Sequence, residues 1–345
     1  MKREEILKRQ EFSVGAMKKK RVLIISDIKT EADDPFAIVQ HLLSQTEDVC
    51  GIVATHFEWK YTVAKQWERL KGTSMMQCYE EGEKLLSLMD IDDVPLFKGS
   101  VYPLWMQDEI AGQQSGKESV HIVNRSADGE EQTLLLPESE GADFIIREAM
   151  KETEEPLYVA CLGALTDLAL ALCKAPEIAK RMTAIIIGGG AYPHGGSEPN
   201  FRQDPIAADM IFGSGMNIWQ IPMNVYPTME VSLAELREKV KPCGEVGAYL
   251  WNRIKEVNDF YAQVPMRMDF PHGESWSLGD NPSVVVLLQN AGNTSCWHMR
   301  KAPRIHADCT YEENSQGTEI RVYDSVDVRL GMEDMFAKIK LCYGE

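Results

Sequence analysis

Four carboxylates, Asp27, Glu31, Asp33 and Asp34, fall within eight residues directly after the apolar run RVLIISD at 21–27. Like charges this close repel, so each side chain is driven to stay hydrated, to take up a proton or to share a cation. A hard cation such as Ca²⁺ collects six to eight oxygen ligands. The spacing therefore suits a cation, a hydroxyl-rich ligand, or both. The plain alternative is a solvated acidic turn, since aspartate ahead of an apolar run is a good helix N-cap. Other apolar runs end in a comparable way. Thr55-His56-Phe57-Glu58 closes one, Leu162-Gly163-Ala164-Leu165-Thr166-Asp167 a second, and Gly188-Gly189-Gly190 a third ahead of AYPHGGSEPN. Glu198 and Asn200 carry no capping duty legible in the sequence and are ligand candidates, whereas Asp204-Pro205 reads as a helix start. Asp280 and Asn281 precede another apolar helix, where either one caps it or joins the site. Among the histidines, His56, His194 and His272 are the better placed; His41, His298 and His306 read as packed or surface residues.

These residues need a scaffold that brings strand ends together. Short apolar runs at 21–27, 49–55, 94–98, 157–162, 183–188 and 217–223 read as strands. Helical patterns lie between and around them at 34–45, 59–71, 76–89, 142–153, 166–181 and 204–213. That alternation implies βαβ units: an α/β fold with an open, mostly parallel sheet flanked by helices. In such a sheet, ligands bind beyond the carboxyl ends of the strands. After residue 230 the chain turns helical at 231–262 and 282–290, and the last fifty residues read as a small hairpin and a terminal helix. Residues 105–138 are polar and aperiodic, a loop long enough to be a lid or an insertion. Residues 1–20 read as an N-terminal extension and 21–345 as a single domain.

Bulk composition narrows the partners. A net charge of −17 repels nucleic acid and anionic membranes and suits a small neutral substrate or a bound cation. No apolar run reaches membrane-spanning length, and MKREEILKRQ has no apolar segment behind it, so a cytoplasmic location is expected. Eight cysteines without C-x-x-C spacing argue against a zinc site or a disulfide framework.

The ordered motifs resemble the inosine/uridine-preferring nucleoside hydrolases from about residue 20 to 290. Asp27-Ile28-Lys29-Thr30-Glu31-Ala32-Asp33-Asp34 occupies the slot of the family pattern D-x-D-P-G-x-D-D. PLFKGSVYPL (95–104), ADFIIREAM with LYVACLGALTDLALAL (142–172), PEIAKRMTAIIIGGG (176–190), GSEPNFRQDPIAADMIFGSG (196–215), IPMNVYPT (221–228) and GDNPSVVVLL are similar to later family segments. Two departures stand out. Lys29 replaces the second aspartate, a calcium ligand and presumed base, and Asp280-Asn281 stands where the family has H-D. This variant is similar to a divergent branch of nucleoside-hydrolase-like proteins.

The resemblance implies cleavage of the N-glycosidic bond of a ribonucleoside or related N-riboside by a metal-bound water. It gives Asp34 as a Ca²⁺ ligand, Asp33 as partner of a ribose hydroxyl and catalytic residue, and the Leu162 carbonyl as a further ligand. Glu198 and Asn200 would hold sugar hydroxyls. Asp27, Glu31 and one of Asp280 or Asn281 fill out the expected coordination sphere, and His56 and Glu58 are added as substrate contacts from the second strand end. Lys29 either points inward and replaces part of the cation's role, or points outward and leaves Glu31 as ligand and base; the carboxylate count favours the outward case. Base-recognising residues are expected on 56–60, 105–138 and 260–278, with Trp59, Trp105, Tyr192, Phe260, Tyr261 and Trp276 as stacking candidates. An acidic enzyme of this type commonly assembles as a homodimer or homotetramer. Two competing readings are a catalytically silent nucleoside- or carbohydrate-binding protein and, ranked last, an aspartate-nucleophile phosphatase, which wants an aspartate where Lys29 stands.

Overall fold

The computed structural model describes residues 1–64, 66–116, 119–262, 273–289 and 292–344. Eight strands form the main sheet: β1 (Lys20–Ser26), β2 (Glu47–Ala54), β3 (Leu96–Lys98), β4 (Leu157–Cys161), β5 (Met182–Ile187), β6 (Asn217–Ile221), β7 (Trp297–Lys301) and β8 (Glu319–Tyr323). Their spatial order is β7-β8-β6-β5-β4-β1-β2-β3. All neighbours pair in parallel except β7, which runs antiparallel to β8 at one edge. The chain moves outward from β1 through β2 to β3, then returns to the other side of β1 as β4. This reversal puts a topological switch point between the ends of β1 and β4, the place where an open α/β sheet offers a crevice to a ligand.

The strands read as continuous apolar runs because both faces of the sheet are covered. Val22, Leu23, Ile24 and Ile25 of β1 are all fully buried. Side chains alternate across a strand, so Val22 and Ile24 enter one core while Leu23 and Ile25 enter the other. The first core is roofed by α1 (Asp34–Leu42), α2 (Ser74–Leu88), α6 (Gly244–Ala262), α7 (Pro282–Leu288) and α8 (Val328–Tyr343); the second by α3 (Glu140–Ala149), α4 (Thr166–Lys174) and α5 (Pro205–Gly213). Helix α1 is buried on every side, so its polar residues must be paired internally. His41 bridges Glu47 and Ser283, and Gln40 donates to the Gly331 carbonyl and Asp334. The first residues of the chain cover the C-terminal end of α1. Ile6 is fully buried, Arg3 donates to the carbonyls of Leu42 and Ser44, and Gln10 to that of Leu43; these bonds satisfy acceptors the helix end leaves open.

Three expectations change in detail. The pattern at 59–71 is two short helices, Glu58–Val63 and Trp67–Leu70. The helix from Thr166 ends at Lys174, and Pro176 opens a separate 3₁₀ turn, since proline cannot continue the ladder. Residues 105–138 are not a featureless loop: they hold a helix, Gln107–Gln113, and a hairpin of His121–Arg125 with Glu131–Leu135. The Asp128-Gly129 dipeptide, with Gly129 at φ +80°, is the hairpin signal. It was masked because exposed strands carry no alternation of apolar residues.

Candidate active site

The acidic segment lies at the carboxyl end of β1, and its carboxylates face one cavity. That cavity, about 330 Å³, is lined by Asp27, Glu31, Asp33, Asp34, Leu162, Glu198, Asn200 and Asp280, with Lys60, Tyr226 and Trp276 among its other walls. Asp33 holds the N-cap position of α1, yet its side chain makes no capping bond, so the plain capping role is not what it does. Asp33, Asp34 and Asp280 each offer an oxygen, all within 4.8 Å of one another. Asp34 also accepts from the Ser26 hydroxyl, and Asp27 from the Thr30 hydroxyl at 2.6 Å. Behind them, Gly163 permits a close approach: a Cβ there would stand 2.5 Å from Asp27 Oδ1.

Across the cavity, Glu198 accepts from the backbone N–H groups of Gly189, Asn200 and Phe201 and from the Tyr226 hydroxyl. It thus has a capping duty after all, at the start of the short helix Pro199–Gln203. The Asn200 amide donates to the carbonyls of Leu162 (2.9 Å) and Ile187 (3.0 Å), which locks this wall to the ends of β4 and β5.

Electrostatics explain why the cluster needs a counter-charge. Two full charges about 5 Å apart repel by roughly 3 kcal/mol at an effective dielectric of about 20. Three such pairs approach the whole stability of a domain, about 5–15 kcal/mol. Without a cation the carboxyls respond by holding protons. Burial, with Lys60 opposing, pushes Asp27 up to about 6, and burial with the neighbouring Glu31 charge pushes Asp33 up to about 7. Burial and the adjacent carboxylates push Asp34 and Asp280 well above the usual range. The donor set is all oxygen, carboxylates plus the Leu162 carbonyl nearby, and this chemistry fits a hard divalent cation.

Several expected site residues have other duties. Lys29 does not line the cavity; its ammonium bonds Glu81 of α2 at 2.7 Å on the outer side of the loop. Glu31 lines the cavity but is paired with Lys60 at 2.7 Å and stands outside the three-aspartate group. Glu58 is fully buried and takes the N–H groups of Gly72 and Ser74 and the Ser74 hydroxyl, capping α2 rather than meeting a substrate. His56 is likewise buried behind the site. Its Nε2 contacts the Thr166 hydroxyl, which spends its own proton on Asp204, so Nε2 is the donor, and burial lowers the imidazole to about 3. Asn281 donates to Gln40 inside the core, leaving Asp280 as the member of that pair in the cavity. Asp204 caps α5, as its proline neighbour implied.

Of the stacking candidates, Trp276 lines this cavity. Trp59 and Trp105 line a neighbouring one, Tyr192 packs under Arg300, and Phe260 is exposed. His194 is exposed, while His272, the Tyr261 side chain and most of 260–278 lie outside the described residues. The sequence reading singled out neither Lys60 nor Tyr226 by name. Lys60 lies in the 56–60 stretch expected to meet the base, and Tyr226 within IPMNVYPT, but neither residue type stood out there as a ligand; Tyr226 reaches the cavity through the path of the chain after β6.

An open parallel sheet with a carboxylate-lined crevice at its switch point defines the class of α/β proteins that bind a small ligand beyond the strand ends. The profile of the inosine-uridine preferring nucleoside hydrolases matches residues 24–332, and the chain belongs to that family. The pyrimidine-specific ribonucleoside hydrolase RihA of Salmonella paratyphi A is 25% identical over 217 residues, 60% of this chain and 64% of that protein, so the match spans under two thirds of its length. RihA of Escherichia coli O1:K1 is 24% identical over 277 residues, 77% and 79% of the two chains. The solved purine-preferring ribonucleoside hydrolase from Gardnerella vaginalis superposes with a TM-score of 0.68 over 94% of this chain and 99% of that one, at 20% identity. Among the described residues no helix is long and apolar enough to cross a membrane.

Proposed function

We propose that this protein hydrolyses the N-glycosidic bond of a ribonucleoside or a related N-riboside. The observation that carries the reading is the meeting of Asp27, Asp33, Asp34 and Asp280 with Glu198 and Asn200 around one cavity. Departure of the base leaves an oxocarbenium-like sugar, positive at the ring oxygen and anomeric carbon. Fixed carboxylates around that sugar stabilise the developing charge without reorganising. Asp33 lines the cavity free of capping bonds, which supports a role for it in accepting a proton or holding a ribose hydroxyl. Asn200 and Glu198 hold further hydroxyls on the opposite wall; Glu198 already takes four donors, so a hydroxyl there displaces that of Tyr226. Trp276 and Tyr226 give the cavity apolar surface for a ring. Asp34, Asp280, Asp33, Asp27 and the Leu162 carbonyl are the groups that would hold Ca²⁺. When bound, the ion offsets the carboxylate charge and makes a water more acidic.

The test is release of free ribose from a panel of purine and pyrimidine ribonucleosides, with Ca²⁺ and with chelator. Turnover that chelation abolishes is expected. A second reading, binding without turnover, draws on two placements: Lys29 turns away from the cavity, and Glu31 is committed to Lys60. Saturable nucleoside binding with no ribose released under any metal condition establishes that reading and overturns the first. The relatives differ in their named base preference, so the panel also decides the leaving group.

A further inference from the structure

Arg253, on α6, reaches the acidic loop from outside the cavity. Its Nη2 donates to the backbone carbonyl of Lys29 at 2.7 Å and to that of Glu31 at 3.0 Å. These carbonyls flank Thr30, whose N–H and hydroxyl both bond back to Asp27, at 2.7 and 2.6 Å. One turn earlier on the same helix, the Tyr249 hydroxyl donates to Glu81 Oε1 at 2.5 Å, and Glu81 Oε2 takes the Lys29 ammonium at 2.7 Å. The loop is therefore gripped twice: by its carbonyls through Arg253, and by the Lys29 side chain through Glu81 and Tyr249. The Arg253 side chain is only 11% exposed, so water competes little for these bonds.

We propose that Arg253 is a positioning residue that sets the register of the Asp27–Asp34 loop, with Lys29, Glu81 and Tyr249 as the second half of the same clamp. This rests on the hydrolase reading above and deepens it. The clamp gives a physical role to the lysine that replaces the family aspartate. A side chain that no longer faces inward ties the loop to α2 and α6 from behind. Asp27 and Asp33 lie two residues outside the gripped carbonyls, so a shift of the loop carries both carboxyls with it. Sites held by a loop lose function when their support loosens by about an ångström.

The experiment compares the full-length protein with Arg253→Met, Arg253→Lys and Tyr249→Phe, and with Lys255→Gln as an exposed control on the same helix. Three properties are read: hydrogen exchange of the amides at 28–33, Ca²⁺ affinity by calorimetry with the metal alone, and melting temperature. Arg253→Met is expected to speed exchange at 28–33 and weaken Ca²⁺ binding about tenfold, with Arg253→Lys recovering most of both. Tyr249→Phe gives a smaller change in the same direction, and it decides the question if Arg253→Met does not fold. Lys255→Gln changes neither. Exchange and Ca²⁺ affinity unaltered in folded Arg253→Met, or in Tyr249→Phe where it alone folds, overturns the clamp. Absence of Ca²⁺ binding in the parent overturns the metal reading instead, and loop exchange then tests the clamp by itself.

Discussion

At the residue scale, the cavity trades stability for a charged constellation. Asp280 is buried against Asp34, and burial with its acidic neighbours pushes its carboxyl well above the usual range. Asp280→Asn keeps the shape and removes a carboxyl that is costly to bury whether it ionises or takes up a proton, so the metal-free protein should melt higher than the parent in chelator. The same change should weaken Ca²⁺ binding and lower kcat/KM by on the order of a hundredfold or more, because a ligand oxygen with its charge is lost. Thermal scans and ribose-release kinetics check the two effects in opposite directions. His56 gives a pH prediction. Its folded pKa is about 3, lowered by burial from 6.5, so between these values the unfolded chain binds a proton that the folded chain refuses. Stability from this group is complete above pH 6.5 and is lost as pH falls toward 3, by up to about 1.4 kcal/mol per pH unit. His56→Gln retains an N–H donor for Thr166 and should flatten the acid limb of a denaturation series by that amount. The raised carboxylates act with the opposite sign in both proteins and cancel in the comparison.

At the scale of elements, the site depends on how closely the β4–α4 turn approaches the end of β1. Gly163 leaves room for Asp27, and any Cβ there collides with that carboxyl and with its backbone nitrogen at 2.9 Å. Gly163→Ala should therefore displace Asp27, costing about 1–3 kcal/mol of stability and about tenfold in Ca²⁺ affinity. Denaturant melts and calorimetry measure both, and an unaltered affinity would show that Asp27 takes no part in the ion site. The helix α1 that starts at Asp34 is held by its apolar residues, with Phe36, Ala37 and Val39 fully buried, so it acts as a rigid mount for the carboxyl at its first position.

At the scale of the whole molecule, cation binding and folding are linked. A ligand at a hundredfold excess over its Kd stabilises the native state by about 2.7 kcal/mol, which for a chain of this size is about 4 °C in Tm. Adding chelator to Ca²⁺-loaded protein should lower Tm by about that much, and Mg²⁺ should replace Ca²⁺ poorly, because it demands tighter octahedral geometry. A Tm indifferent to Ca²⁺ and chelator would mean that the carboxyls remain neutralised by protons alone. The two cores also differ in what they carry: the one containing α1, α6 and α7 supports the acidic loop, Arg253 and the Asp280 turn, while the other holds the mostly structural α3–α5 layer.

Local chemistry was written plainly in the chain. Apolar strands ending in polar residues, and helices between them, set the parallel sheet and the acidic end of β1, because burial on both faces demands continuous apolar runs and the alternation forces crossovers. The direction of individual side chains was not local. Glu58, His56 and Asn281 have the residue types of ligands, but each is consumed by a partner distant in sequence: Ser74, Thr166 and Gln40. Lys29 turns outward because Glu81 and α6 stand behind it, and Lys60 and Tyr226 enter the cavity from stretches whose patterns did not mark either side chain. Sequence thus determined which strand end carries the carboxylates, through periodicity that any short window reveals. Which polar groups stay available for a ligand was decided by tertiary structure, since a buried donor or acceptor takes its nearest partner in space.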